Sequence, residues 1–177
     1  MLFAGALAAA WPAAAVDLQC AWNSIAEAKR KSVVDGYVRG GPDAVPGITE
    51  TDLERAGACG INKGDIFQTV QVSLVLMMKH GSEAALTRRH KLALDDVEQA
   101  WAAVPASDLA LIRQGTVAVF DEPVSDQIRA SAEAALRRFA RGLTADLKGQ
   151  EELVTWGMAR VLSEHLETGS PATTPAT

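Results

Sequence analysis

The side chains in this sequence that offer the most varied chemistry are three histidines, His80, His90 and His165. A zinc site needs several converging ligands, and a helical His-x-x-x-His pair, which would place two of them on one face, does not occur. His80 and Glu83 come nearest to such a pair, but the sequence predicts a helix end at Gly81, between them. The Glu-x-x-His motifs that build di-metal sites in helical bundles are also absent. We therefore predict no metal site and no cofactor.

Motifs for nucleophilic catalysis or phosphate binding are missing as well. The sequence has no Gly-x-Ser-x-Gly turn, no Gly-x-x-x-x-Gly-Lys loop and no Gly-x-Gly-x-x-Gly loop. Glycoside hydrolysis needs only two carboxylates in a cleft, and Glu27, close to Trp22 on the first predicted helix, is a residue of that kind. Because exposed helix glutamates are common, we assign no catalytic residue. A small exported hydrolase, acting on cell-wall glycans through unassigned carboxylates, stays the alternative function.

The two cysteines of the chain, Cys20 and Cys59, are far apart in sequence. Redox-active dithiols usually form a Cys-x-x-Cys motif at a helix N-terminus, which these residues do not. In an oxidising compartment a single pair has one intramolecular connection. We therefore predict a structural disulfide that closes a loop of about 40 residues and stabilises the fold by about 4 kcal/mol.

The beginning of the chain has the composition of a secretory signal. Residues 1–15 carry no charge, are rich in alanine and end in three alanines, the small residues that signal peptidase requires. We predict a cleaved signal peptide over residues 1–15 and export to the periplasm or the medium. One alternative is an Ala-rich core helix, which Trp11 and Pro12 disfavour because proline interrupts helical hydrogen bonding. The other is a lipoprotein anchor at Cys20, which the bulky Gln19 disfavours.

The overall composition is that of one globular domain. The chain has 177 residues, 48% of them hydrophobic, which is enough for one sizeable core. A net charge of −5 argues against a nucleic-acid partner, because phosphate binding needs a basic surface. No segment is long and apolar enough for a membrane span. We predict one helical domain over residues 16–167 and a disordered tail over residues 168–177, which has no apolar anchor.

The hydrophobic pattern is helical almost throughout. The most apolar predicted helix runs from Ile66 to Lys79 behind an Asp65 cap, and apolar residues cover nearly all its sides, as in a buried central helix. Before it, we predict a helix over about residues 20–38 and a short helix that begins at a Thr51–Glu54 capping box and ends at Gly60. After it, we predict a helix capped by Ser82, a helix that begins at an Asp95–Glu98 cap and stops at Pro105, and a short helix from Ser107 to Gly115. A long helix behind Asp121 and Pro123 and a last helix over about residues 150–166 complete the prediction. Residues 116–120 are strand-like but lack a partner strand, so we predict a connector or a helical turn there. The predicted fold is all-α, an irregular bundle of six or seven helices around the central apolar helix, residues 66–79, with one disulfide.

These features favour a non-enzymatic binding or interaction protein of the cell envelope. The partner would be another protein, or a small apolar ligand held in a cavity beside Met77 and Met78. Two basic clusters could meet an anionic surface, such as lipid headgroups, or an acidic partner. One consists of residues 88–91 and the other of Arg137, Arg138 and Arg141. We interpret them instead as solvated helix faces balanced by Asp95, Asp96, Glu98 and Glu133. A deep pocket that holds a carboxyl group of raised pKa would favour the hydrolase, whereas an exposed apolar patch would favour the interaction protein.

Overall fold

The computed structural model of the protein describes residues 15–62, 64–118 and 124–169. These residues form an all-α fold without a strand, and a Cys20–Cys59 disulfide closes it. Both the predicted fold class and the predicted disulfide are confirmed. The predicted signal peptide lies outside the described residues except for Ala15, and so does the predicted tail from residue 170 onwards.

Eight α-helices are present in the described part of the chain, against six or seven predicted. They are α1 (Leu18–Ser24), α2 (Glu27–Gly40), α3 (Glu50–Leu53), α4 (Ile66–Arg88), α5 (Leu94–Ala102), α6 (Ala106–Val117), α7 (Asp126–Leu143) and α8 (Leu147–Thr168). Two 3-10 helices accompany them, at Pro42–Ala44 and Glu54–Cys59.

The predicted helix over residues 20–38 is divided into α1 and α2. Ile25 and Ala26 adopt extended backbone, with ψ of 137° at each residue, and this bend allows the Ile25 side chain to be buried. The Ile25 N–H donates to the Trp22 carbonyl and the Ser24 hydroxyl donates to the Ala21 carbonyl. These bonds satisfy carbonyls that the end of α1 would otherwise leave without a partner. The predicted single helix is therefore divided at the point where the Ile25 side chain is buried.

The capping box of α3 lies two residues before the predicted one. The Thr49 hydroxyl accepts from the Asp52 N–H, and the Asp52 carboxylate accepts from the Thr49 N–H at 2.8 Å. Thr51 and Glu54, the predicted capping residues, follow the true cap inside the helical segment. The predicted stop at Gly60 is present, because this glycine has a left-handed backbone with φ of 88°.

The central helix α4 is longer than predicted. Asp65 caps it as expected, by accepting from the Gln68 N–H at 3.0 Å, but the helix continues through Gly81 to Arg88. Gly81 is inside the helix because the Tyr37 ring packs directly against it; an added Cβ would lie 2.2 Å from the Tyr37 Cδ2. Ser82, predicted to cap a new helix, is buried in the same continuous helix. The predicted boundary at 79–82 is therefore wrong, and the glycine serves packing.

The later helices also begin at other residues than predicted. The N-cap of α5 is Ala93, which forms no side-chain cap, and α8 begins at Leu147 behind an Asp146 cap. Ser125 caps α7, while the predicted caps Asp121 and Pro123 lie outside the described residues. Of the predicted connector over residues 116–120, the first two residues belong to α6, Ala118 follows as its C-cap, and the last two lie outside the described residues.

The core has two parts that α4 and α8 both cross. One part surrounds the disulfide and joins α1 and α2 to the first half of α4 and the end of α8. The other part lies between α5, α6, α7 and α8, where the aromatic rings of Trp101, Phe139 and Trp156 pack together with centroids 5.1 to 6.0 Å apart. Helix α4 contributes buried residues to both parts, so contacts with the core hold it in place relative to the other helices.

Candidate functional site

Helix α4 has two apolar faces on opposite sides. The inner face includes Val72, Val75 and Leu76, each fully buried against the core. The side chains of Ile66, Phe67, Val70, Leu74 and Met77 lie on the other side of the helix, since positions four and three residues apart fall on one face. We call these five residues the outer face of α4. The prediction of a helix buried on all sides is therefore wrong for its first turns.

The first turns of the outer face are open to solvent, and its last residue, Met77, packs partly against the core. Ile66 is 71% exposed, Phe67 62% and Val70 57%, while Leu74 and Met77 are half-buried. These three large apolar side chains lie within five residues and form an exposed apolar patch, and larger patches of this kind mark interaction sites. The exposed apolar patch that the sequence interpretation associated with an interaction protein is thus found on α4.

A surface groove of about 420 Å³ runs along this face. Ile66, Val70, Leu74 and Met77 of the outer face form one side, and Ile48 and Glu50, at the start of α3, form the other. Met77 lies eleven positions after Ile66, so the groove follows about 16 Å of helix, at 1.5 Å per residue. We call it the α4 groove. Its length and apolar lining suit a bound segment of about three helical turns.

Two hydroxyl groups line the α4 groove but do not make it polar. The Thr69 hydroxyl donates to the Asp65 carbonyl at 3.0 Å, and the Ser73 hydroxyl donates to the Thr69 carbonyl at 2.7 Å. Their protons are therefore used within α4. Glu50 is the only charged side chain among the described residues that line the groove.

A second pocket, of about 250 Å³, is lined mainly by charged side chains, and we call it the acidic pocket. Its charged lining residues are the glutamates Glu83, Glu98, Glu164 and Glu167 and the cations Lys79 and Arg160. Glu98 and Glu164 face it from α5 and α8, and the Arg160 guanidinium contacts both carboxylates. Arg113 also pairs with Glu164, at 3.3 Å. The two carboxylates are thus engaged in ion pairs across three helices, an arrangement that ties α5, α6 and α8 together.

A buried polar cluster lies where α2, α4 and α8 meet. Glu152 is 8% exposed, and burial raises the pKa of its carboxyl group, while the Tyr37 hydroxyl and the positive charge of Arg89 oppose the increase. Burial and the neighbouring Glu152 raise the pKa of the Tyr37 hydroxyl, which keeps its proton. His90 approaches from the end of α4, and its Nδ1 lies 3.0 Å from the Asp146 carboxylate. The Gly149 N–H and the His90 ring hold the pKa of the Asp146 carboxyl below its ordinary range.

The polar cluster is separate from both pockets. The carboxyl group with the raised pKa, Glu152, lines neither the α4 groove nor the acidic pocket. Arg89 donates to the Tyr37 carbonyl at 3.3 Å and to the Val38 carbonyl, so it caps the end of α2. The cluster therefore joins three helices, and its buried carboxyl group lies apart from the two pockets described above.

Replacing Glu152 by glutamine is expected to change the pH dependence of stability. Because the pKa of Glu152 is raised in the fold, the unfolded chain loses this proton first as pH rises above the ordinary value of 4.5. Folded stability therefore falls as pH rises from that value through the folded pKa. The neutral E152Q side chain removes this loss, so E152Q should become more stable relative to the wild type as pH increases. Urea unfolding between about pH 4 and pH 8 measures the effect.

The neighbouring Glu151 provides the control for this measurement, because it is exposed on the same helix. E151Q should follow the wild-type pH dependence. If E152Q and E151Q gave the same curve as the wild type, the raised pKa of Glu152 would be contradicted.

The residues singled out from the sequence are dispersed. Glu27 is exposed at the start of α2. His80 stacks on Trp22 with ring centroids 4.0 Å apart, and its Nδ1 lies 3.4 Å from Glu83 on the same helix, so the predicted break between them is absent. His165 lies in the last turn of α8. Among the described residues no group of three or more histidine, cysteine, aspartate or glutamate side chains could hold a metal ion.

The two basic clusters are paired with carboxylates. Arg88 lies 3.0 Å from Asp35, Arg137 lies 2.8 Å from Glu133, and Arg138 lies 2.8 Å from Asp108. Glu133 lies one turn before Arg137 and was expected from the sequence, whereas Asp35 on α2 and Asp108 on α6 are distant in sequence. Arg88 thus links α4 to α2, and Arg138 links α7 to α6.

Comparison of the chain with protein-family models, curated proteins and solved structures gives no match. Among the described residues, no helix has the length and hydropathy needed to cross a membrane. The assignment of function therefore depends on the α4 groove, the polar cluster and the acidic pocket themselves.

Proposed function

We propose that this protein is an exported, non-enzymatic interaction protein of the cell envelope that binds a partner through the outer face of α4. The observation that carries the proposal is the exposure of Ile66, Phe67 and Val70, all more than half exposed on a helix that is otherwise anchored in the core. Covering such side chains is favourable by about 25 cal/mol for each Å² of apolar surface removed from water. A partner bound there would gain most of its affinity from the burial of these apolar side chains.

Export is supported by the disulfide together with the composition of residues 1–15. A Cys20–Cys59 bond persists in an oxidising compartment such as the periplasm or the medium. The uncharged, Ala-rich segment before it fits a signal peptide. Both features suit a protein that acts outside the cytoplasm.

The other two functions considered for this chain receive less support. A hydrolase needs a carboxyl group of raised pKa facing a substrate, and Glu152 faces Tyr37 between helices. A carrier of a small apolar molecule needs a site that encloses most of its ligand. Beside Met77 the described structure has an open groove on the surface. The outer face of α4 is better suited to another macromolecule.

Mass spectrometry of the protein recovered from its host tests this function. Under native conditions we expect a complex heavier than the chain, which separates to the chain alone under denaturing conditions. Replacing Val70 by glutamine should weaken the complex about tenfold, because it removes one large apolar contact. Leu147→Gln is the matched control, since Leu147 is 74% exposed on α8 and lies outside the α4 groove.

The outcomes separate the candidate functions. Excess mass that V70Q removes and L147Q preserves supports binding at the outer face of α4. Equal native and denatured masses for the wild type would contradict the proposed function, and a screen for hydrolase activity on envelope polymers would then be the appropriate next step.

A further inference from the structure

The charge around the α4 groove indicates the chemistry of its occupant. Glu50 lines the groove, is exposed and has no ion-pair partner among the described residues. Asp65 is exposed at the end of the groove where α4 begins, and its carboxylate is bonded to a helix N–H and to no cation in the described structure. Nearby, Asp52 is already paired with Lys29 at 3.3 Å. The groove is thus apolar along its length, and the carboxylates of Glu50 and Asp65 on its edge form no ion pair with a cation in the described part of the chain.

The shape of the groove indicates the conformation of its occupant. Its apolar positions lie on one helix with spacings of four, four and three residues, from Ile66 through Val70 and Leu74 to Met77. An amphipathic helix likewise presents apolar side chains at intervals of three and four residues, and two such helices pack along each other over several turns. An extended strand would need an exposed sheet edge to supply main-chain hydrogen bonds, and the described residues form no sheet.

Charge also distinguishes this occupant from a membrane or a second copy. Envelope lipid surfaces are commonly anionic, and the carboxylates of Glu50 and Asp65 would be repelled by them. A second copy of the chain brings another net charge of −5 and another Glu50 to the contact. A basic partner instead gains attraction from the same groups and associates faster.

We infer that the α4 groove binds a basic amphipathic helix of a partner protein, with apolar residues at i, i+4, i+7 and i+11 on the outer face of α4 and a lysine or arginine opposite Glu50. This inference rests on the proposed function, because it names the occupant of the same surface. The apolar residues provide the affinity and the basic residue selects the partner and its direction along the groove.

A designed pair of fluorescent peptides tests the inference. Both peptides carry leucine at i, i+4, i+7 and i+11. They differ only in their charged residues, which are all lysine in one peptide and all glutamate in the other. Fluorescence anisotropy with the full mature chain should show the lysine peptide binding at least about tenfold more tightly, with an affinity that falls as salt increases. Circular dichroism should show the lysine peptide gaining helix when it binds.

Matched variants separate specific contacts from general attraction to an acidic protein. Glu50→Lys and Glu167→Lys change the net charge equally, but Glu167 lies near the end of α8, outside the groove. E50K should weaken the lysine peptide by about tenfold and improve the glutamate peptide, whereas E167K should change either affinity by less than about twofold. V70Q should weaken both peptides, and L147Q should weaken neither.

Each contrary result has a definite meaning. If V70Q weakens both peptides but they bind equally well and E50K matches E167K, the outer face binds partners and the inference of a basic helix is overturned. If V70Q has no effect, or neither peptide binds, the outer face as a binding site is overturned as well. If sedimentation shows a wild-type dimer that V70Q dissociates, the occupant is a second copy and the inference is also overturned.

Discussion

Replacing Cys20 and Cys59 together by serine is expected to lower the free energy of unfolding by about 4 kcal/mol, the value that chain entropy gives for a closed loop of about 40 residues. The bond joins α1 to the 3-10 helix Glu54–Cys59, and the Asp17 N–H donates to the Cys59 carbonyl beside it at 2.8 Å. Since a typical domain is stable by about 5–15 kcal/mol, this is a large loss. Urea unfolding of the double variant and the wild type measures it.

The same variant should also lose affinity at the α4 groove. Ile48 and Glu50, which form one side of the groove, lie a few residues before the 3-10 helix that the disulfide holds. Reduction of the wild-type protein serves as the control, because it breaks the bond without changing the sequence. A loss of less than about 1 kcal/mol in both the variant and the reduced protein would contradict a stabilising role for the disulfide.

Replacing Val72 by alanine is expected to cost about 2–3 kcal/mol of stability, because the side chain is fully buried and its removal leaves a cavity. Val70→Ala is the matched control on the same helix, two residues earlier and 57% exposed. It should cost no more than about 0.5 kcal/mol, as surface substitutions usually do. Thermal or urea unfolding of both variants compares the two faces of α4.

Partner binding should be more sensitive to the substitution at Val70 than to the substitution at Val72. V70A is expected to weaken partner binding severalfold, and V72A should leave it nearly unchanged at temperatures where V72A is folded. If V70A destabilised the protein as much as V72A, the outer face would belong to the core and its assignment as a binding surface would be wrong.

The sequence predicted the elements of this fold better than their boundaries. Asp65 is followed by a strongly apolar stretch, so the start of α4 could be predicted from its cap and periodicity. Its end could not, because Gly81 resembles a helix terminator in sequence and its true role depends on the Tyr37 ring of α2. The signal for continuation was the apolar residue Leu86, which extends the stripe of Val72, Val75 and Leu76 by further helical turns.

The candidate site was only partly accessible to sequence analysis. The chain has apolar residues on two faces of α4, which the sequence analysis interpreted as complete burial. Which face remains open depends on the number of helices that pack around α4, and this is a tertiary property. The proximity of Glu152 to Tyr37 was also inaccessible, because more than one hundred residues separate them in sequence.

The measurement that tests the central claim most directly is photo-crosslinking in the host at two positions. A photoreactive amino acid is introduced in place of Val70, on the outer face of α4, or in place of Leu147, an exposed apolar position on α8. Binding through the outer face predicts a discrete adduct of higher mass from position 70 and none from position 147. Adducts from position 147 alone, or equal adducts from both positions, would contradict it.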